Sequence, residues 1–145
     1  MIAVDTNLLV YAHREDSPWH DLALRALTGL AEGTAPWAIP WPCVHEFLAI
    51  VTHPRIYQPP SPLPLAMKAI EAWIASPTLR LLGEGSDHWT RLASSATAAK
   101  VAGPMIHDAR IVAICLSHGV RQFWTVDRDF SRFSALKTRN PLTGA

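Results

Sequence analysis

The chain has 145 residues, 49% of them apolar and 17% charged, which excludes a disordered polymer and suits one domain with a substantial core. A formal net charge of +1 excludes a protein that holds nucleic acid by bulk charge alone, so an anionic substrate has to be met by a local patch or by metal. No apolar stretch reaches membrane-spanning length and no basic segment with an apolar run precedes Ile2-Ala3-Val4, so a cytoplasmic location is expected.

Ile2-Ala3-Val4 is short, apolar and β-prone, and it ends at the polar Asp5-Thr6-Asn7, so a buried strand is expected to run into a helix. Ser17-Pro18 predicts a second helix with Ser as N-cap, carrying Leu22, Leu24, Leu27 and Leu30 on a broad apolar face and ending at Gly33. Trp37-Ala38-Ile39 predicts a second strand, and Pro42 the start of a helix through about Val51. Residues 53–64 hold five prolines and predict a loop, because proline supplies neither ladder nor helix donors.

Leu65 to Ala75 has helical periodicity, and Leu79-Arg80-Leu81-Leu82 predicts a third strand. Ser86 is expected to cap a helix through about Val101, and Ile106 to His118 a further one stopped by Gly119. Phe123-Trp124-Thr125-Val126 predicts another strand ending at Asp127, and the tail from about 131 is open to an added edge strand. Strands alternating with helices predict one α/β domain, residues 1–145, with a mostly parallel central sheet flanked by helices. Cys43 and Cys115 sit in apolar stretches without zinc-ligand spacing and are expected as buried reduced thiols.

Of the twelve acidic residues, most sit in turns, at helix starts or on solvent faces. Four are out of place. Asp5 and Asp127 directly follow strands, and in open parallel sheets sites form beyond the carboxyl ends of strands. A helix cap or turn role is the plain alternative for each. Glu46 is the only Asp, Glu, Lys or Arg between Gly33 and Pro54, and Pro42, Cys43, Ala49 and Ile50 lie one helical turn away. It is therefore expected to be costly as an ion unless a partner comes from elsewhere. Asp108 has Ile111, Val112 and Cys115 at i+3, i+4 and i+7, which puts it on a core-facing stripe, with dipole complementation as its alternative.

If the four converge, their mutual repulsion is relieved by protons or cations, and carboxylate oxygens favour Mg²⁺ or Mn²⁺. Such ions activate water and stabilise displacement at phosphorus. The seven histidines form no paired ligand motif for zinc.

Ile2-Ala3-Val4-Asp5-Thr6-Asn7, the lone helical Glu46, Asp108 with Ala109-Arg110-Ile111-Val112-Ala113, and Thr125-Val126-Asp127-Arg128-Asp129-Phe130 resemble the PIN domain family in order and placement. The length of the chain is similar to the VapC-type toxins of bacterial toxin–antitoxin pairs. The resemblance implies a Mg²⁺- or Mn²⁺-dependent endoribonuclease in which metal-activated water hydrolyses a phosphodiester and leaves a 5′-phosphate. It implies Asp5, Glu46, Asp108 and Asp127 as the acidic metal ligands, with Asp5 central. Thr6, Asn7, Thr125 and Asp129 would orient or neighbour them, Asp129 having a capping role as its alternative. A homodimer and a small VapB-like antitoxin that blocks the site are implied too.

RNA must also be held. Arg110, Arg121, Arg128, Arg132, Lys137 and Arg139 give the C-terminal third a local positive bias able to contact phosphates, with solvated surface charge as the plainer alternative. His107 is a candidate for substrate contact or proton transfer, and Arg110 and Arg128 are candidates for binding. One of the six tryptophans is open to base stacking, without a choice among them. A haloacid-dehalogenase-like phosphatase is the second enzyme class, but it needs an Asp where Asn7 stands. A receiver domain needs adjacent carboxylates after the first strand, which Asp5-Thr6 does not supply. A catalytically inactive PIN-like binding module is the non-enzyme alternative, and the presence of all four carboxylates counts against it.

Overall fold

The structure is a computed structural model and describes residues 1–144. Five strands form one sheet: β1 (Ile2–Val4), β2 (Trp37–Pro40), β3 (Leu79–Leu82), β4 (Gln122–Trp124) and β5 (Thr138–Arg139). Their order is β3-β2-β1-β4-β5, and all four pairings are parallel. Parallel neighbours need crossovers, and among the described residues six α-helices supply those from β1 to β4, with a 3₁₀ turn between β4 and β5. Helices α1 (Thr6–His13) and α2 (His20–Glu32) link β1 to β2, and α3 (Trp41–Val51) and α4 (Leu63–Ile74) link β2 to β3. Helices α5 (His88–Ala99) and α6 (Met105–Ser117) carry the chain back from β3 to β4.

That return matters for function. The chain steps outward from β1 to β2 to β3, then reverses to lay β4 and β5 on the other side of β1. The reversal creates a topological switch point between β1 and β4, where open α/β sheets bind ligands beyond their carboxyl ends. The expected tail strand exists as β5, and a 3₁₀ turn at Arg128–Arg132 leads towards it.

The core is built around fully buried Trp37, Phe47, Phe123, Leu8, Leu9 and Ile114. Phe47 packs edge-on between His13 and Trp73, with ring centroids 5.4 and 5.1 Å away. Cys43 and Cys115 are free and buried, as their apolar settings imply. Among the described residues no helix is long and apolar enough to cross a membrane.

Several boundaries differ from expectation for local reasons. The second helix begins at His20, not at Ser17-Pro18, because the Ser17 hydroxyl accepts from the Trp19 N–H (3.1 Å) and holds a turn. Its buried face is Ala23 and Leu27, while Leu22 and Leu24 are exposed. Ser86 does not cap α5. Asp87 occupies that position, and its carboxylate is taken by Arg91 and Ser117, each at 2.8 Å. The proline loop is tied to α1 through Ser61, whose hydroxyl meets His13 Nε2 (2.9 Å) and Arg14 Nη1 (3.1 Å).

Candidate active site

Asp5 follows β1 and is 5% exposed. Its N–H still bonds to the Trp124 carbonyl (2.9 Å), so β4 holds its backbone. Its extended backbone makes it the N-cap of α1, and Oδ1 accepts from the Thr6 N–H at 2.8 Å. Oδ2 accepts from the Thr125 hydroxyl at 2.7 Å and from Asn7 Nδ2 at 3.3 Å. The carboxylate therefore does cap a helix, but the cap uses only part of its capacity, and the rest is fixed by side chains from two segments.

Thr125 is the hub of this arrangement. Its buried hydroxyl donates to Asp5 and accepts from the Asp127 N–H (3.0 Å) and from Asn7 Nδ2 (3.4 Å). One hydroxyl thus registers the end of β1 against the segment leaving β4. Thr6 contributes through its backbone only, since its hydroxyl is buried with no hydrogen-bond partner among the described residues. Asp127 caps the 3₁₀ turn by accepting from the Asp129 N–H at 2.9 Å. Asp129 is exposed in the first turn of that segment.

The other two acids come from helices whose N-termini reach the same edge. Asp108 lies in the first turn of α6 and is half-buried, while Ile111, Val112 and Cys115 beneath it are buried. The core-facing stripe is thus real, with Asp108 at its open end. Glu46 differs from expectation because it is exposed. Helix α3 buries Cys43, Val44, Phe47 and Val51, which turns His45, Glu46 and Ala49 outward. Apolar neighbours one turn away did not mean burial, because Glu46 sits at the border of the buried stripe. Its charge needs no compensating partner to be tolerated there.

Electrostatics ties the four together. Burial raises the Asp5 pKa from 3.8 to about 6, opposed by the Thr125 and Thr6 bonds and reinforced by the charges of Glu46 and Asp127. Asp108 is also raised to about 6, by partial burial first and then by Asp127, Glu46 and Asp129, with His107 acting the other way. Each raised acid thus feels both Glu46 and Asp127. Among the described residues, however, no three His, Cys, Asp or Glu side chains form a ready cage for a metal ion. The donors fit a hard divalent cation by chemistry, being oxygens whose mutual repulsion a cation would relieve. As positioned, they still have to close on it.

A cavity of about 300 Å³ beside Glu46 is lined by Pro42, His45, Ala49, His107, Arg110 and Ile111. It brings His107 and Arg110 next to one of the four acids. The Arg110 guanidinium is engaged with Glu84 at 2.7 Å. Arg128 is elsewhere, in a cavity with Thr125, Asp127 and Arg139. The expected basic cluster is split. Arg121 and Lys137 immediately precede β4 and β5 and so lie at the opposite, amino end of the strands. Arg132 reaches Met105 Sδ at 3.6 Å.

Three neighbours escaped the sequence reasoning. The Cys43 thiol approaches Asp5 Oδ1 at 3.7 Å, His45 lines the Glu46 cavity, and the Trp41 ring stands beside that of His45. The signal was available, since Trp41-Pro42-Cys43 leaves β2 at the same edge as Asp5 leaves β1.

Residues 2–136 match the PIN domain family. Ribonuclease VapC48 of Mycobacterium tuberculosis is 31% identical over 140 residues, covering 97% of this chain and 97% of that protein. Ribonuclease VapC43 of the same organism is 33% identical over 144 residues, covering 99% and 97%. Among solved structures, VapBC2 from Rickettsia felis, bound to a DNA fragment from their promoter, has the same fold. It superposes with a TM-score of 0.68 at 17% identity and covers 97% of this chain and 98% of that one. The chain belongs to the PIN domain family, within its VapC ribonuclease group. Neither a phosphatase of the haloacid dehalogenase kind nor a receiver domain finds support, and Asn7 donates to Asp5 where the former needs a carboxylate.

Proposed function

We propose that this chain is a divalent-metal-dependent endoribonuclease acting as the toxin of a VapBC-type pair in the cytoplasm, with Asp5, Glu46, Asp108 and Asp127 holding Mg²⁺ or Mn²⁺. The observation that carries it is Asp5. A buried carboxylate at the switch point, fixed by Thr6, Asn7 and Thr125 and loaded with the fields of two further acids, has no structural need for its charge. A helix cap alone is served by a neutral Ser or Asn.

A bound divalent cation would supply Lewis acidity and activate water for attack on a phosphodiester. The chain's own residues divide the remaining work. Thr125 and Asn7 fix the orientation of Asp5, as the groups behind a metal ligand must. Glu46 and Asp108, on helices, are free to adjust their side chains towards a ligand. Asp129 adds negative charge near Asp108. His107, Arg110 and Arg128 stand near enough to the acids to contact the phosphates that flank the reacting one.

The antitoxin partner follows from the relatives' group name and from the VapBC2 complex, and a homodimer is part of the same proposal. The test incubates purified protein with mixed RNA, with Mg²⁺ or Mn²⁺ and with chelator, beside Asp5→Asn. Cleavage that needs the cation and vanishes in the variant is expected. Cleavage that persists in chelator, or survives in Asp5→Asn, would sink the proposal. A small phosphate ester hydrolysed in place of RNA would favour the phosphatase class.

A further inference from the structure

We infer that Trp41 and His45 form a stacking platform for an unpaired RNA base next to the reacting phosphate, an inference that rests on the ribonuclease proposal. Trp41 is the first residue of α3, directly after β2, and it keeps 39% of its surface exposed. A large aromatic beside the cavity-lining His45 forgoes burial that the core offers to Trp37. Its ring lies 6.1 Å from the His45 ring, with the planes tilted by 33°. His45 is itself exposed and lines the cavity of about 300 Å³ that contains Glu46.

The surroundings have the chemistry of a nucleotide subsite. His107 and Arg110 border the same cavity and can hydrogen-bond base edges or phosphate. Arg110 is held in place by Glu84 at 2.7 Å, and the segment after β3 that carries Glu84 lies close to Trp41, where a Cβ on Gly83 would sit 3.8 Å from the indole. The indole thus lies close to this segment and still keeps 39% of its surface open. A single-stranded base splayed from its neighbours stacks on such a face, and stacking tolerates every base because each presents a π surface. The acids would meet the phosphate side of the nucleotide only through a bound cation, His107 and Arg110 can meet it directly, and the rings would take its base. This combination selects unpaired RNA over a duplex, whose bases are already stacked.

Two observations argue against a merely structural role. Trp41 makes no side-chain hydrogen bond among the described residues, and its ring partner His45 is exposed itself. Trp89, 74% exposed on α5 and without a ring contact to any residue that lines the Glu46 cavity among the described residues, is the natural control.

The test is fluorescence anisotropy with a labelled random-sequence single-stranded RNA 12-mer, in chelator so that nothing is cleaved. Trp41→Ala should weaken binding between about fivefold and a hundredfold, Trp41→Phe should retain most of it, and Trp89→Ala should match the parent. A labelled abasic ribose-phosphate oligomer of equal length should bind the parent and Trp41→Ala alike. His45→Ala should give a smaller loss with the same dependence on bases. Circular dichroism on each variant establishes folding, and Trp41→Phe covers the case in which the alanine variant fails to fold.

Equal affinity of the parent, Trp41→Ala and Trp41→Phe for the 12-mer would overturn the platform. So would an equal loss on the abasic oligomer, or a change of oligomeric mass in the variants, which would make Trp41 a subunit contact. These results are separable from the ribonuclease proposal, which stands or falls on metal-dependent cleavage and Asp5→Asn.

Discussion

The strand-borne and helix-borne halves of the carboxylate site are built differently. Asp5 and Asp127 leave β1 and β4, and both are fixed by hydrogen bonds that meet at the Thr125 hydroxyl or close a cap. Glu46 and Asp108 project from α3 and α6 and make no side-chain hydrogen bond among the described residues. One half is preorganised before any ligand arrives, and the other is held only by backbone and by repulsion. That division explains how four acids can share a field without forming a ready cage. A rigid half sets the geometry, while a loose half can close on a cation or relax away from it.

Asp5→Asn attacks the rigid half and has the largest expected effect. Cleavage should fall on the order of a thousandfold or more, as when a central catalytic group is removed. Stability without metal should not fall at pH 8, since the substitution removes a buried charge that burial disfavours. A rate assay and a thermal melt check both limbs. A large loss of stability would mean that the charge itself holds the fold together.

Thr125→Val comes next. It keeps the shape and removes the donor to Asp5 together with the acceptor for the Asp127 N–H. Activity should fall about tenfold to a hundredfold, the scale for groups that orient metal ligands. The folded state should lose about 1–3 kcal/mol, because buried polar groups are left without partners. The acid limb of the rate profile should also move to higher pH, since the Thr125 bond lowers the Asp5 pKa. A pH–rate series separates that from simple misfolding.

Glu46→Gln sharpens the contrast from the loose side. Cation affinity, read by titration calorimetry, should drop, while stability without metal changes by no more than about 0.5 kcal/mol, as for an exposed position. A large destabilisation would show that Glu46 is structurally engaged, and the two halves would not differ as described.

The same division governs what could be read from the sequence. The alternation of strands and helices, the strand-end position of Asp5 and the stripe below Asp108 are periodic or local features, and each survives in the structure. Glu46 showed the limit. Its isolation among apolar residues suggested burial, yet exposure depends on where the buried stripe of α3 ends, a matter of fractions of a helical turn. The split of the basic residues was equally hidden, because sequence proximity does not say whether Arg121 and Arg128 stand at opposite ends of β4. The expected caps failed for other reasons: the Ser17 hydroxyl accepts from the Trp19 N–H in a turn, and at α5 the cap position falls to Asp87, whose carboxylate is taken by Arg91 one turn on and by Ser117 of α6. Trp41 and His45 carried a legible position after β2, but nothing local marked His45 as a neighbour of His107 and Arg110.

The smallest effect concerns stability against pH. Asp5 and Asp108 titrate near 6 in the folded chain, against 3.8 as the ordinary value. Between those values the folded chain holds protons that the unfolded chain has released, so their contribution falls as pH rises from about 4 through 6. His13 works the other way. Its pKa is lowered by burial, then by Arg14 and His20, so its contribution is lost as pH falls through the folded value. The raw melting curve therefore mixes opposite slopes. The difference between parent and Asp5→Asn/Asp108→Asn isolates the acids: the variant should gain by roughly a few degrees relative to the parent as pH rises from 4 to 7, without metal. Adding Mg²⁺ or Mn²⁺ at pH 7 should raise the parent's melting temperature and leave the variant's nearly unchanged, because the charges that weaken the empty site are the ones a cation binds. A parent and variant that track each other across pH, with and without cation, would show that the four acids do not act as one site.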